Sequence, residues 1–572
     1  MVGTGSSLYP FERFVYTRPD IEEIAQLFKR LLRRFEKATT AQDQIRTLER
    51  INELRRYFSS MQSLCYVRHT ADTRDPFYEA ENRYFDRTLP EFEALNDQLY
   101  RALLSSPFRP DLEQHYGLQL FILAELALKT FKPEIQPDLE EENILSSEYT
   151  RLKATALIAF EGQTYNLSQL EPLEQSDDRS MRRRASAARW GFFAQNGARF
   201  DELFDRMVQA RHRLARKLGA ENFVPIGYAR MRRSDYTPDM VAAFRRQIRE
   251  QIVPLASELY ERQRRRLKLD RLYYYDENYL FLSGNPKPLG SPEDIIQSAA
   301  RMYREISPET DAFFQHLLQA HLLDLTTRDG KATGGYCTYI SIYDAPFIFS
   351  NFNGTSGDVD VLTHEAGHAF QVWSCRHLDL DEYYWPTSEA AEIHSMSMEF
   401  FAWPWMSLFF GEQAEKYRFM HLIQAVCFLP YAAAVDEFQH RIYENPHLSP
   451  DERKAVWRQL EEVYLPHRDY DDNVFLKEGG FWQKQNHIYN SPFYYIDYAL
   501  AQICAFQFWK RSRENRSEAW AEYLQLCRLG GSRSFLELVH SARLRSPFEA
   551  DCVRSVIGDI RQYLDQVDDS TF

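Results

Sequence analysis

The stretch His364-Glu365-Ala366-Gly367-His368 constrains this chain of 572 residues more than any other. Positions i and i+4 share one face of an α-helix, one turn apart. On a helix, His364 and His368 therefore aim two imidazoles at one point, and Glu365 lies close enough to reach a water held there. The pattern H-E-x-x-H thus predicts a helix that binds a metal ion with a carboxylate placed as a base. The turn cluster Asn351-Phe352-Asn353-Gly354-Thr355-Ser356-Gly357-Asp358 precedes it, and Ser356 or Asp358 is expected to cap it.

A hydrolytic zinc site usually keeps three protein ligands and one open position. If the third ligand were a histidine on the same segment, glycine would stand three residues after His368 and histidine six after it. Gln371 and Ser374 stand there instead. The other arrangement takes a glutamate from a following helix. Thr387 to Phe400 reads as such a helix, with a hydroxyl cap and an acidic first turn. It offers Glu389, Glu392 and Glu399, the last two spaced two turns apart on one face.

The surroundings are expected to be mainly helical. From Pro19 to Ser106 apolar residues recur with helical spacing, with a first helix after Asp20, a second near Ala41–Ser59 and a third at Pro90–Leu104. Leu157 to Leu167 reads as two short strands around a Glu-Gly turn. Long helical patterns follow at Asp178–Leu218 and Pro238–Leu269. Their arginine runs, Arg182-Arg183-Arg184 and Arg264-Arg265-Arg266, are expected on solvated faces. Asp329 to Ile340, with Gly334-Gly335-Tyr336, reads as a turn and then an edge strand near a site.

A net charge of −14 argues against a nucleic-acid binder, which needs clustered cations. No window approaches eighteen uninterrupted apolar residues, so no membrane span is expected. Seven scattered cysteines without a C-x-x-C pair, and no signal-peptide pattern in Met1–Pro10, point to a cytoplasmic protein. The division expected is residues 1–180 as a helical region contributing to one lobe and 181–572 as the catalytic region, with the lobes interleaved.

The core H-E-x-G-H, followed about 25 residues on by E-x-x-S-x-x-x-E, resembles the M3 family of zinc peptidases. Gly-Gly-Tyr, Asn-Phe-Asn-Gly-Thr and the segment His487-Ile488-Tyr489-Asn490-Ser491-Pro492-Phe493-Tyr494-Tyr495-Ile496-Asp497-Tyr498 are similar to its oligoendopeptidase F, or Pz-peptidase-like, branch. The resemblance runs from about Thr333 to Trp509. It implies a mainly α fold, two helical lobes enclosing a deep substrate channel, and a small β element near the H-E-x-x-H helix. It implies one zinc ion per chain on His364, His368 and Glu392, with Glu389 as the rival third ligand, and Glu399 orienting a ligand histidine. Glu365 would be the general base. His487, Tyr494 and Tyr498 would stabilise the oxyanion, with Tyr495 close behind, and Gly334, Gly335 and Tyr336 would line the peptide. Two departures stand out: the spacing from His364 to Glu392 is one residue shorter than in mammalian members, and His394 replaces a proline and reads as structural. The activity implied is cleavage of internal bonds in short peptides by a zinc-bound water. The alternatives are a dipeptidyl carboxypeptidase or other exopeptidase of the same fold, or a silent peptide-binding protein.

Overall fold

Helices fill the start of the chain because its apolar residues recur every three to four positions behind good caps. A computed structural model describes residues 9–572 apart from Ser168, Asp329 and Thr333; the N-terminal reading against a signal peptide falls mostly outside them. Asp20, Thr40 and Asp75 cap helices Ile21–Glu36, Ala41–Ala71 and Pro76–Leu104, each accepting from backbone N–H groups of the first turn. The second and third helices are longer than the sequence indicates. Pro90 is not a start but an interior residue of the third. A proline there removes a hydrogen bond to the preceding turn. Packing on both sides holds the helix together: Phe85 and Phe92 are buried, and both rings meet Phe58, with Phe92 stacked on it at 4.0 Å.

The chain divides into two units whose segments alternate. The first comprises the chain up to Leu128, Lys287–Ala414 and Cys504–Leu544. The second comprises Lys129–Pro286, Glu415–Ile503 and Arg545–Phe572. The fold is mainly α, with two small sheets among the described residues.

In the first unit, a three-stranded sheet carries β3 (Leu323–Thr326), β4 (Tyr336–Ile340) and β5 (Ala345–Phe352) in the order β3-β5-β4. β5 runs parallel to β3 and antiparallel to β4. β5 is central and apolar, as a strand covered on both faces must be. β4 is an edge strand, as expected. The helices Gly357–Cys375 and Ser388–Phe401 pack together beside this sheet. A buried ion pair ties the N-terminal helices to the segment between them: Arg55 Nη2 lies 2.6 Å from Glu382 Oε1, and Tyr100 donates to the same oxygen at 2.8 Å.

In the second unit, β1 (Ile158–Phe160) and β2 (Gln163–Tyr165) form the expected hairpin. Glu161 and Gly162 both have positive φ, which the tight turn requires. The helix Arg179–Leu218 is continuous. The next pattern is interrupted by a π turn at Ile248–Ile252, just before Pro254, whose missing N–H breaks the ladder. The arginine runs are not simply solvated. Arg182 is 3% exposed and lies 3.0 Å from the fully buried Asp276, and Arg266 is buried against Asp569. The buried carboxylates draw these two guanidinium groups inward. One helix, within Ser407–Glu444, is long and apolar enough by composition to cross a membrane, but 72% of that window is buried inside the protein, as in a core helix.

Candidate active site

The helix Gly357–Cys375 starts where the Asn353-Gly354 turn ends. Neither expected capping side chain caps it in the usual way. Ser356 makes no side-chain cap, and Asp358 lies inside the first turn. Its carboxylate instead accepts from Asn353 N at 2.9 Å and Gly354 N at 2.8 Å, so it fastens the preceding turn to the helix. Asp358 and Asp360 also place negative charge at the positive end of the helix dipole.

The second helix, Ser388–Phe401, comes unusually near, and Gly367 is the reason. A Cβ at this position would lie 2.6 Å from Ser395 Cα and 2.7 Å from the His394 carbonyl oxygen. Only glycine allows backbone to approach backbone so closely. That approach brings Glu392 opposite the two histidines. Gly367→Ala is expected to force the helices apart at a cost of about 1–3 kcal/mol and to weaken metal binding. Thermal unfolding with and without added metal measures both effects; an unchanged midpoint and affinity would refute the role.

His364 Nε2 lies 3.2 Å, and His368 Nε2 3.4 Å, from Glu392 Oε2. One ligand atom from each of the three residues falls within 4.8 Å of the others. With ligand bonds near 2.1 Å, the edge of a tetrahedron around zinc is about 3.4 Å, so the donor set fits the ion in chemistry and in spacing. Glu389, one turn earlier, is fully buried and outside this group. Ser395 Oγ donates to Glu392 Oε2 at 2.8 Å and holds the carboxylate in place. His394 is fully buried among protein groups, and burial, followed by the charge of His368, pulls its imidazole down to about 4.

Glu399 Oε1 lies 2.7 Å from His364 Nδ1. A carboxylate accepts only, so Nδ1 carries the proton and Nε2 presents its lone pair towards Glu392 and His368. Burial pulls the His364 imidazole down, but Glu392 and Glu399 more than offset it, leaving it well above its usual value. Burial likewise pushes Glu392 up, while the two histidines draw it well below the carboxylate range. His368 Nδ1, by contrast, is buried with no partner among the described residues.

Glu365 is 8% exposed, and burial raises its pKa against the opposing pull of His364 and His368. It faces the β element: a Cβ on Gly335 would lie 3.6 Å from Glu365 Oε1. Gly334 has φ +96°, which glycine adopts without strain, and its carbonyl accepts from Asn351 Nδ2 at 2.9 Å. The Tyr336 side chain is engaged within the first unit, stacked on Phe349 and bonded to Thr70 Oγ1 at 2.6 Å.

The residues predicted on the C-terminal segment form a separate cluster in the second unit. The His487 ring centroid lies 5.4 Å from Tyr494, 5.0 Å from Tyr495 and 5.7 Å from Tyr498. Tyr494 precedes the first helical residue, Tyr495, by one position, yet its ring still meets Tyr498 at 5.1 Å. Gln485 Nε2, which the sequence did not single out, lies 2.8 Å from His487 Nδ1. Phe493 has φ +70°, and its carbonyl accepts from the fully buried Arg233, which also pairs with Asp497 at 2.6 Å. These contacts fix the turn that presents the tyrosines.

The profile of the peptidase M3 N-terminal domain matches residues 11–131, and that of peptidase family M3 matches residues 304–556. A crystal structure of a protein described as an oligoendopeptidase F is 57% identical, covering 99% of this chain and 100% of that one, with a TM-score of 0.95. Pz peptidase A, solved with an inhibitor, is 56% identical over 98% of this chain and 100% of that one, also with a TM-score of 0.95. An oligoendopeptidase F homologue of Borreliella burgdorferi is 25% identical over 295 residues, 49% of this chain. The match spans about half the length of that curated relative, 48%. This chain belongs to peptidase family M3.

Proposed function

We propose that the chain is a zinc-dependent endopeptidase that cleaves internal bonds of short peptides. The observation that carries the reading is the convergence of His364, His368 and Glu392, whose donor atoms lie within 4.8 Å of one another, with Glu365 buried beside them. When bound, one divalent cation per chain supplies a Lewis acid for a carbonyl and for water. Glu365 accepts the proton of the attacking water and returns it to the leaving amine. Its raised pKa, caused by burial, suits a group that must both take and give a proton.

Glu399 holds the His364 imidazole in the tautomer a ligand needs. Glu399→Ala is expected to lower metal affinity or activity by about 10–100-fold, read by competition with a metal-binding dye. Unchanged affinity would remove the role. Gly335 leaves room beside Glu365, and the edge strand β4 suits an extended peptide that pairs with backbone. His487, Tyr494 and Tyr498 are the proposed hydrogen-bond donors to the oxyanion, supported by their convergence on one segment, with Tyr495 beside them. His487→Ala is expected to lower kcat by about 10²–10³-fold with KM little changed; an unaltered kcat counts against it.

Short peptides as substrates, rather than folded proteins, are supported by the family and by the oligoendopeptidases it contains. Seven scattered cysteines without a C-x-x-C pair support a reducing compartment such as the cytoplasm. A peptide-library digest read by mass spectrometry, with metal analysis of the same sample, tests the reading. Internal cuts that stop on chelation are expected. Release of terminal dipeptides alone would make it an exopeptidase, and no cleavage at all would leave only binding.

A further inference from the structure

A cavity of about 210 Å³ in the second unit is lined by Lys484, Arg468, Glu277 and the aromatic rings of Phe428, Tyr431 and Phe481. Its charges do not cancel. Arg468 grips Glu277 through two hydrogen bonds, of 3.0 and 2.7 Å, so that pair is neutral. The Lys484 ammonium has no carboxylate within ion-pair distance among the described residues. It meets aromatic faces instead, 4.3 Å from the Phe481 centroid and 5.9 Å from that of Tyr431. An adjoining cavity of about 380 Å³ shares Lys484, but there three carboxylates, Glu171, Glu174 and Glu277, match three cations. Glu171 and Glu174 both pair with Arg189 there, so Lys484 is, among the described residues, the cation without a carboxylate at ion-pair distance in either cavity.

An ammonium sequestered without a counter-ion is unfavourable, and aromatic faces offset only part of that cost. Burial, then the charge of Arg468, lowers the Lys484 pKa to about 8, so the group is still mostly charged at neutral pH. An anion entering the cavity would complete the pairing that the protein leaves open.

The cavity wall is also the back of the His487 cluster. Tyr431 donates to Gln485 Oε1 at 2.9 Å, and Gln485 holds His487 through its other amide atom at 2.8 Å. The Phe428 ring lies 5.6 Å from Tyr495 and 6.3 Å from Tyr498. Tyr431 thus lies between the ammonium and the cluster: its ring centroid is 5.9 Å from Lys484 Nζ and 5.6 Å from the Tyr495 ring.

We propose that this cavity is a specificity subsite that takes a carboxylate of the peptide substrate on Lys484. The inference rests on the peptidase reading above. The carboxylate comes either from the peptide's C-terminus or from an aspartate or glutamate side chain. Paired quenched-fluorescent peptides separate the two sources: one arm compares free acid with C-terminal amide, the other Glu with Gln at each position in turn. In the wild-type enzyme, one arm is expected to favour the charged peptide by about ten-fold or more in kcat/KM, mainly through KM. Lys484→Met should bring that ratio close to one, and Lys484→Arg should keep part of it. The ratio is taken within each enzyme, so a general loss of activity cancels. A ratio near one in both arms of the wild type, or a ratio that survives in Lys484→Met, overturns the proposal. If no peptide is cleaved, it is the peptidase reading that fails. Fluorescence anisotropy of the same peptides, labelled, then decides the subsite: equal affinity for charged and neutral peptides overturns it, and a preference lost in Lys484→Met supports it.

Discussion

Glu365→Gln is expected to lower kcat/KM for peptide cleavage by about 10²–10⁴-fold while leaving the metal in place. The substitution keeps the size of the side chain but removes its ability to accept a proton. Glu365 is almost fully buried, with Gly335 beside its carboxylate, so no bulk base can substitute for it. It is not among the three residues whose donor atoms converge, so the ion should remain. Steady-state kinetics and metal analysis on one preparation check the prediction. Full activity with full metal occupancy would remove Glu365 from the chemistry.

The second large effect concerns the ion itself. Glu392→Ala removes the donor that both histidines face at 3.2 and 3.4 Å. Two neutral imidazoles on one helix are a poor cage for a divalent cation. After dialysis the variant is expected to hold little metal and to lose peptide cleavage to the limit of detection. A ligand that binds only the folded state stabilises it by about 2.7 kcal/mol when present at a hundred times its Kd. The metal-dependent rise in unfolding temperature should therefore also vanish in the variant. Glu389→Ala is the control, because that carboxylate lies outside the converging group.

Much of this site can be read from spacing alone. Helical periodicity places His364 and His368 on one face, and the Glu161-Gly162 turn announces its hairpin. Other features depend on what lies far away in the chain. Gly367 looks like an ordinary helix-weakening residue until Ser395 is found against it. Pro90 reads as a helix start because local rules favour it there; packing against Phe58 overrides them. Arg182 and Arg266 sit in arginine runs that resemble solvated faces, yet each answers a carboxylate, Asp276 or Asp569, many residues away. Interleaving is legible from the lack of linkers, but the positions of the cuts near residues 128, 286, 414, 503 and 544 are not, since no local composition marks them. Lys484 has no motif, and its lack of a partner is a property of the folded cavity.

The most direct test of the central claim is a titration. Wild-type protein is stripped with a chelator, then zinc is added back in steps while peptide cleavage and bound metal are followed together, with Glu392→Ala in parallel. The account predicts no cleavage without metal, recovery that saturates at one equivalent per chain, and no recovery at that equivalence in the variant. Cleavage that survives complete metal removal, or a Glu392→Ala protein that recovers with the same stoichiometry as the wild type, would contradict it.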